Sequence, residues 1–289
     1  MRELFDSYRP LLFSIAYRML GTIVDAEDIV QDTYVTASKT NLDHIENIKA
    51  YLCKMTTNRC LDVIKSARKK REVYVGPWLP EPLVMDNTHK DLAEQIIGKE
   101  YLSTAYLYMM EKLTPIERTI FILREALSLD YKEIAEITEK TDANCRKIFS
   151  RTKQKINIDQ NETHFTYEEN EHIVTNFLKA LSTENTQMLT QLLSEDVILY
   201  SDGGGKAIAA TNPIPTRSKV MIFLLGIAKK GPKDAEVKLS NINGQPGIII
   251  YENKVPVSVT TYRIENNKVK EIYIIRNPDK LTNVSYGLG

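Results

Sequence analysis

The chain has 289 residues, 43% hydrophobic and 26% charged, with 38 basic and 38 acidic side chains. That is room for two or three domains with the composition of an ordinary folded protein. Zero net charge excludes a global basic field, so any nucleic-acid surface has to come from local clustering.

No apolar run reaches about 18 residues, so no membrane span is expected. The N-terminus, MRELFDSYRP, carries acid and lacks the apolar core of a signal peptide, which predicts a cytoplasmic protein. Cys53 and Cys60 fall on one expected helix, about 10 Å apart by helical rise and too far for a disulfide. They read as small buried hydrophobes. His44, His89, His164 and His172 fit no metal-ligand spacing with the cysteines, so neither a metal nor a cofactor is expected.

Residues 1–75 read as helical throughout. Leu4, Phe5 and Tyr8 lead to Pro10, and Leu11, Leu12, Ile15, Ala16, Met19 and Leu20 recur at helical spacing before Gly21, a good stop. The next helix, DAEDIVQDTYVTASK, crowds Asp25, Glu27, Asp28 and Asp32 into its first turns, where they suit the helix dipole. A looser segment, 40–46, precedes a long helix over 47–71. Its core-like start, Ile48, Tyr51, Leu52 and Met55, gives way to Asn58, Arg59, Lys65, Arg68, Lys69, Lys70 and Arg71, with Asp62 among them. Cations at a helix C-terminus are favourable for dipole reasons alone, but they also suit phosphates, in binding that falls steeply with salt.

Residues 76–100 form a linker that begins with the chain's only tryptophan, Trp78, among Pro77, Pro80 and Pro82. Leu92, Ile96 and Ile97 within it fit a helix leading into another over 101–113. Thr114 and Pro115 restart a helix as N-cap and N1, with Ile116, Ile120, Phe121 and Leu123 as its apolar face.

The stretch from Leu127 to Lys155 reads LSLDYKEIAEITEKTDANCRKIFSRTKQK. Asp130 and Glu133 form a capping box for a first helix, whose stripe is Tyr131, Ile134, Ala135 and Ile137. Thr138 to Lys140 fit a turn, and Thr141 caps a second helix. There Ala143, Cys145, Ile148 and Phe149 can face inward, leaving Arg146, Lys147, Ser150, Arg151 and Lys153 outside. This is a helix-turn-helix pattern, which sets its second helix in the major groove. A helical hairpin with a solvated basic face fits the same residues.

A polar linker, DQNETHFTYEENE, opens a region of different pattern. Ile173, Phe177, Leu178 and Leu181 mark one helix, and Met188, Leu189, Leu192 and Leu193 another. A strand over 197–201 and an apolar helix over 220–228 follow. Strands are predicted at 235–242, 247–251, 255–264 and 269–276, separated by Asn243-Gly244, Glu252-Asn253 and Asn266-Asn267, which are hairpin signals. Helices followed by a curved antiparallel sheet make an α+β cone. Tyr200, Asp202, His172, Tyr251 and Tyr262 could line a pocket in it, but no acid/base pair stands at recognisable spacing, and Asp202 also heads a Gly-rich turn. Catalysis, small-ligand sensing and protein interaction all remain open for this domain on its residues alone.

In order, these blocks resemble the bacterial extracytoplasmic-function sigma factors. LLFSIAYRMLGTIVDAEDIVQDTYV is similar to the clamp-binding part of sigma domain 2. NIKAYLCKMTTNRCLDVIKSARKKRE is similar to its promoter-melting, minus-ten-reading helix. KLTPIERTIFILREALSLDYKEIAEITEKTDANCRKIFSRTKQKI is similar to sigma domain 4, which reads the minus-thirty-five element. YVGPWLPEPLV, SDGGGK at 201–206 and RNPDKL at 276–281 resemble members that carry a SnoaL-like domain fused at the C-terminus, taken to regulate activity. One departure is Glu139, in a turn where relatives usually have glycine.

The resemblance implies two all-α sigma domains followed by the α+β cone: domain 2 over 1–75, the linker over 76–100, domain 4 over 101–157 and the SnoaL-like domain over 165–285. It implies a promoter-specific sigma factor, not an enzyme, whose partners are core RNA polymerase and promoter DNA, with a small molecule as a further candidate ligand of the last domain. Asp25, Glu27, Asp28, Gln31 and Asp32 would meet the polymerase core. Asn58, Arg59, Asp62, Lys65 and Arg68 would face the minus-ten element, and Asn41, Asp43, His44 and Asn47 would wall the pocket for an extruded base. Asn144, Arg146 and Lys147 would reach base edges of the minus-thirty-five element, and Ser150, Arg151 and Lys153 its phosphates. Trp78, Leu79, Pro80, Glu81, Pro82, Asp202, Gly203, Gly204, Gly205, Lys206, Asn277, Pro278 and Asp279 would make an interdomain regulatory contact. The alternatives are a one-component helix-turn-helix regulator with a ligand domain, which has no use for the acidic helix, and an enzyme with a DNA-binding appendage.

Overall fold

The computed structural model describes residues 2–41, 44–71, 73–85, 102–156, 166–230 and 234–286, with side chains at all of these except 2–4 and 67–71. Asp43, His89, the expected helix with Leu92, Ile96 and Ile97, most of the polar linker including His164, and the side chains of Arg68, Lys69, Lys70 and Arg71 lie outside the described residues. The chain divides into two compact units. Among the described residues, the first holds those up to Val73, Leu102 and 106–156. The second holds 74–85, 103–105 and 166–286.

In the first unit, α1 (Arg2–Leu20) continues through Pro10. Its second half, Leu11 to Leu20, is buried on every side, Ser14 and Arg18 included, with Arg18 donating to the Ser14 carbonyl at 3.3 Å. It is the hub against which α2 (Ile23–Ser38) and α3 (Ile48–Arg71) pack. α2 buries Ile23, Ala26, Ile29, Val30, Thr33 and Ala37 and turns its acids outward. α4 (Thr104–Met110), which belongs to this unit from Tyr106 on, is followed by α5 (Pro115–Phe121), which opens on a capping box of Thr114 and Glu117. It passes into a π-helical turn, Ile122–Ala126.

The helix-turn-helix is α6 (Tyr131–Thr138) and α7 (Asp142–Ile156). Both halves of the Asp130–Glu133 capping box form, and Thr141 Oγ1 accepts from the Asn144 amide at 3.2 Å. Glu139 takes the left-handed conformation, φ 55° and ψ 41°, that the turn demands and that glycine adopts more readily. Cys145 and Thr152 are buried and Ile148 and Phe149 half-buried, whereas Ala143 is exposed. Its expected inward position fails because two residues of helix carry it to the far side from Cys145.

In the second unit, α8 (Tyr167–Ser182), α9 (Thr186–Leu192) and α10 (Arg217–Lys230) cover one face of a six-stranded sheet. Its strands are β1 (Leu193–Asp202), β2 (Ile214–Pro215), β3 (Glu236–Ile242), β4 (Gln245–Glu252), β5 (Val255–Glu265) and β6 (Lys268–Ile275), ordered β2-β1-β6-β5-β4-β3. The core between them includes Val174, Phe177, Leu189, Leu199, Leu224, Tyr262 and Ile272. The sheet is mixed rather than wholly antiparallel. After three hairpin-linked strands, β6 comes back beside β1 and runs parallel to it. The hairpin turns Asn243-Gly244, Asn253-Lys254 and Asn266-Asn267 all have positive φ, as type I′ turns require. The middle turn sits one residue later than its sequence signal. Register shifts in β1, at Ile250/Tyr251 and at Arg263/Ile264 mark bulges that bend strands.

The start of the expected linker is structured. Residues 74–85 lie on the second unit as an extended strap. The Asn243 amide donates to the Leu83 carbonyl at 2.8 Å and the Met85 amide to Asn241 at 2.8 Å, and Val84 bridges Ile242 antiparallel. Pro77, Pro80 and Pro82 bring no amide donors that would need partners.

Candidate nucleic-acid interface and the Asp202 cluster

On α2, Asp25, Glu27, Asp28, Gln31 and Asp32 are all exposed, beside Val24 and Val35. Helical periodicity produces this: the apolar residues at three- and four-residue spacing go inward and leave one acidic face. A cleft of about 590 Å³ lined by Phe5, Asp6, Arg9, Glu27, Val30, Gln31 and Tyr34 opens between α1 and this face.

On α3, Asn58 and Lys65 are exposed, and Lys65 pairs with Asp62 at 3.1 Å. Arg59 is turned to α2 instead. It donates to Thr36 Oγ1 at 2.6 Å and to the Asp32 carbonyl at 3.5 Å, which places a candidate base contact in a bridge between the two helices. Asn47 Oδ1 accepts from the Ala50 amide at 3.0 Å and so caps α3. The N-terminal half of α3 meets the helix-turn-helix through Lys49–Glu133 at 2.8 Å and Lys54–Glu139 at 2.7 Å. Lys54 holds the Glu139 carboxyl below the usual range, chiefly through their hydrogen bond. Deeper in the unit, Arg118 donates to the Met19 carbonyl at the C-terminus of α1 and to Glu111, both at 2.7 Å. Burial lowers its pKa to about 10.

On α7, Asn144, Lys147, Ser150 and Arg151 are exposed. Lys153 pairs with Glu125 at 3.1 Å and is thereby turned from the outer face. Arg146 is exposed but leans sideways: Asp142 accepts from it at 2.5 and 3.3 Å, and its guanidinium lies 4.3 Å from the Tyr131 ring centre.

In the second unit the three motifs meet on one carboxylate. Asp202 ends β1 fully buried. Its Oδ1 accepts from the Tyr74 hydroxyl at 2.6 Å and the Gly204 amide at 3.0 Å. Its Oδ2 accepts from the Leu79 amide at 2.9 Å and from Lys280 Nζ at 2.7 Å. Lys280, its side chain 8% exposed, also donates to the Leu79 carbonyl and sits 4.0 Å from the Trp78 ring centre and 5.2 Å from that of Tyr74, a cation–π arrangement. Burial first, and then the hydrogen bond to Asp202, raise the Tyr74 pKa, so the phenol stays a donor. The Gly-rich turn has to be glycine here. A Cβ on Gly203 would stand 2.2 Å from the Ala207 carbonyl oxygen, and Gly204, at φ +58°, abuts Asn277. The Asn277 amide donates to the Asp202 carbonyl at 2.9 Å and its Nδ2 to Tyr74 at 2.9 Å. Lys206 and Asp279 pair at 2.5 Å on the surface. Glu81 accepts from Asn283 at 2.6 Å.

Tyr74 and Lys280 stand inside the sequence motifs but were not among the expected contact residues. The signal was a buried-acid candidate, Asp202, in need of a cation. The expected pocket residues do not converge. His172 is exposed on α8, and Tyr262 packs in the core 5.4 Å from Phe177. Tyr251 donates to the Ser285 carbonyl, Tyr200 stacks on Tyr273, and both Asp202 oxygens are filled.

Comparison with known proteins matches residues 4–70 to the Sigma-70 region 2 family and residues 103–156 to Sigma-70, region 4. The chain is 30% identical to the ECF RNA polymerase sigma factor SigJ of Mycobacterium tuberculosis over 96% of its own length and 92% of that protein's. It is 26% identical to the probable ECF RNA polymerase sigma factor SigI of the same species, over 98% and 95%. The crystal structure of that SigJ superposes with a TM-score of 0.80 at 29% identity, covering 98% of each chain.

Proposed function

The chain belongs to the extracytoplasmic-function sigma factors, and on that premise we propose that its first unit reads promoter DNA through α3 and α7 while its second unit restrains that unit through the strap. As a sigma factor it directs transcription initiation and supplies recognition rather than bond chemistry. In this reading the acidic face of α2 meets the polymerase core, where charge guides association and register. Asn58 and Lys65 serve the minus-ten element, and the exposed face of α7 serves the minus-thirty-five element. Residues 1–73 act as sigma domain 2 and 102–157 as domain 4. Residues 74–85 belong functionally with 165–285 rather than with a free linker.

The observation that carries the regulatory part is the gathering of strap, Gly-rich turn and Asn277–Asp279 corner on the Asp202 carboxylate. A second supports it. About 25 base pairs separate positions named minus thirty-five and minus ten, roughly 85 Å at 3.4 Å per base pair. Within the first unit α3 and α6 are in direct ion-pair contact, so the two readers have to part to engage both elements. Strap residues 74–85 held on the second unit withdraw up to about 40 Å of chain from the connection between them. The cluster is therefore assigned to the chain's own strap rather than to a small molecule or a reaction. Membership of a family that works with core polymerase disfavours a self-sufficient operator-binding regulator.

The test is run-off transcription with purified core polymerase on a template library randomised over both elements. The wild-type chain initiates from a selected subset, and Asp202→Asn raises output from those templates several-fold at unchanged core affinity. Absence of initiation sinks the promoter-reading roles. Unchanged output in the Asp202 variant sinks the restraint.

A further inference from the structure

Arg146 is one of the residues of α7 from which base contacts were expected, yet its position is set by two neighbours. Asp142, one turn earlier, holds the guanidinium by two hydrogen bonds. Tyr131 takes its face at 4.3 Å. The same ring also carries Arg124, from the π-helical turn, at 4.8 Å, and Arg124 is fixed by donating to the Leu129 carbonyl at 2.8 Å. Phe149 meets Tyr131 edge-on at 6.1 Å and keeps the ring in place. Three elements thus converge to seat two guanidinium groups on one aromatic platform. Tyr131 is the first residue of α6, the helix that crosses the DNA backbone when the second helix enters the groove. A guanidinium leaning from α7 onto Tyr131 is directed to that side, where phosphates run. By contrast Asn144, Lys147 and Arg151 share an exposed stripe at three- and four-residue spacing and carry no such lateral hold from Tyr131.

We infer that Tyr131 is a positioning residue that makes Arg146, with Arg124, a phosphate clamp fixing how α7 seats on the duplex, and that base reading falls to Asn144, Lys147 and Arg151. This rests on the reading of α7 as the minus-thirty-five helix. Phosphate contacts fix register without carrying sequence, whereas base-edge contacts discriminate, and the two differ in what a mutation does.

The probe is the upstream duplex selected by the wild-type holoenzyme from a library randomised over that element. Binding of holoenzymes carrying Arg146→Ala, Tyr131→Leu and Tyr131→Phe is measured across salt concentrations and across single base-pair changes. Arg146→Ala is expected to weaken binding about tenfold to every duplex alike and to lower the log–log salt slope by about 0.9. Tyr131→Leu lowers affinity about threefold with an unchanged base profile, and Tyr131→Phe, which keeps the platform, restores it. Circular dichroism and core binding check that the variants fold. A loss confined to one base pair, an unaltered salt slope in Arg146→Ala, or a Phe variant as weak as the Leu variant overturns the inference. Failure of the wild type to select any upstream sequence instead overturns the underlying reading of α7.

Discussion

Asp202 and Lys280 in the second unit form an ion pair from which water is excluded; Lys49–Glu133 and Lys54–Glu139 in the first unit form ion pairs that water reaches. Both sets join segments far apart in sequence. Removing two charges from water costs several kcal/mol per ion and is offset only by good geometry and further hydrogen bonds. Asp202 has those: a phenol, two amides and an ammonium fill its two oxygens. Such a junction is all-or-none, because losing one partner strands a buried charge. At the seam between α3 and α6, Lys54 is 36% and Glu139 71% exposed. Pairs of that kind contribute little, are screened by salt, and part gradually. The strap's hold on the second unit is therefore made or lost as a whole, while α3 and α6 are held by contacts that yield to conditions.

The largest effect is expected from Asp202→Asn. It removes the buried carboxylate charge that Lys280 Nζ meets at 2.7 Å and should cost about 3–5 kcal/mol in the stability of the second unit. Trp78, the chain's single tryptophan, lies against Lys280 and reports the transition by fluorescence during denaturation. Lys280→Met should cost less, since Asp202 keeps the Tyr74 hydroxyl and the Leu79 and Gly204 amides. A cost for Asp202→Asn no larger than that of a seam variant would erase the contrast between the units.

Arg118 is intermediate. It is as enclosed as Lys280, at 3% exposed, but ties α5 to the end of α1 within the first unit. Arg118→Met removes a charge-assisted bond to the Met19 carbonyl, where the helix dipole favours a cation, and leaves Glu111 without that partner. A loss of about 2–3 kcal/mol is expected in the first-unit transition followed by helical circular dichroism. A neutral result would move the hold between α1 and α5 onto apolar packing alone.

Much of the architecture was legible because it is local. The Asp130–Glu133 capping box, the Thr114 cap with Pro115 behind it, and the Asn243-Gly244 and Asn266-Asn267 turns all follow from residues within a few positions of one another. The acidic face of α2 was legible for the same reason. The parallel β1–β6 pairing was not, because it depends on which distant strand a hairpin series returns to. Nor was the strap: Pro-rich extended sequence looks like a linker until an acid more than a hundred residues away accepts its Leu79 amide. Arg59, Arg146 and Lys153 were visible as cations on helices. Thr36, Tyr131 and Glu125 belong to other elements, so helical spacing within α3 or α7 cannot show those contacts; only the Asp142–Arg146 pair, four residues apart on α7, is open to such spacing.

The smallest expected effect tests the seam itself. Cys53 lies on α3 between Lys49 and Lys54 in sequence and is fully buried. Burial raises its pKa to about 12, with Lys49 opposing and Glu133 adding to the shift. A thiol reacts as its thiolate, so labelling at neutral pH requires the site to open. Cys60 on the same helix, also buried and shifted upward by burial, is the internal control, and peptide mapping separates both from Cys145. Raising salt should speed Cys53 labelling relative to Cys60, because the Debye length shrinks from about 10 Å at 0.1 M to about 3 Å at 1 M. Lys54→Ala should speed it about twofold at low salt and not at high salt, where the pair is already screened. Glu139→Gly should separate two effects of one residue: faster Cys53 labelling from the lost pair, and a Tm higher by about 2 °C because glycine adopts the left-handed turn without strain. If Cys53 labelling ignores both salt and Lys54, the seam is not electrostatic. The contrast with the Asp202 junction would then lie in packing, and α3 and the helix-turn-helix would be no easier to part than the strap is to lift.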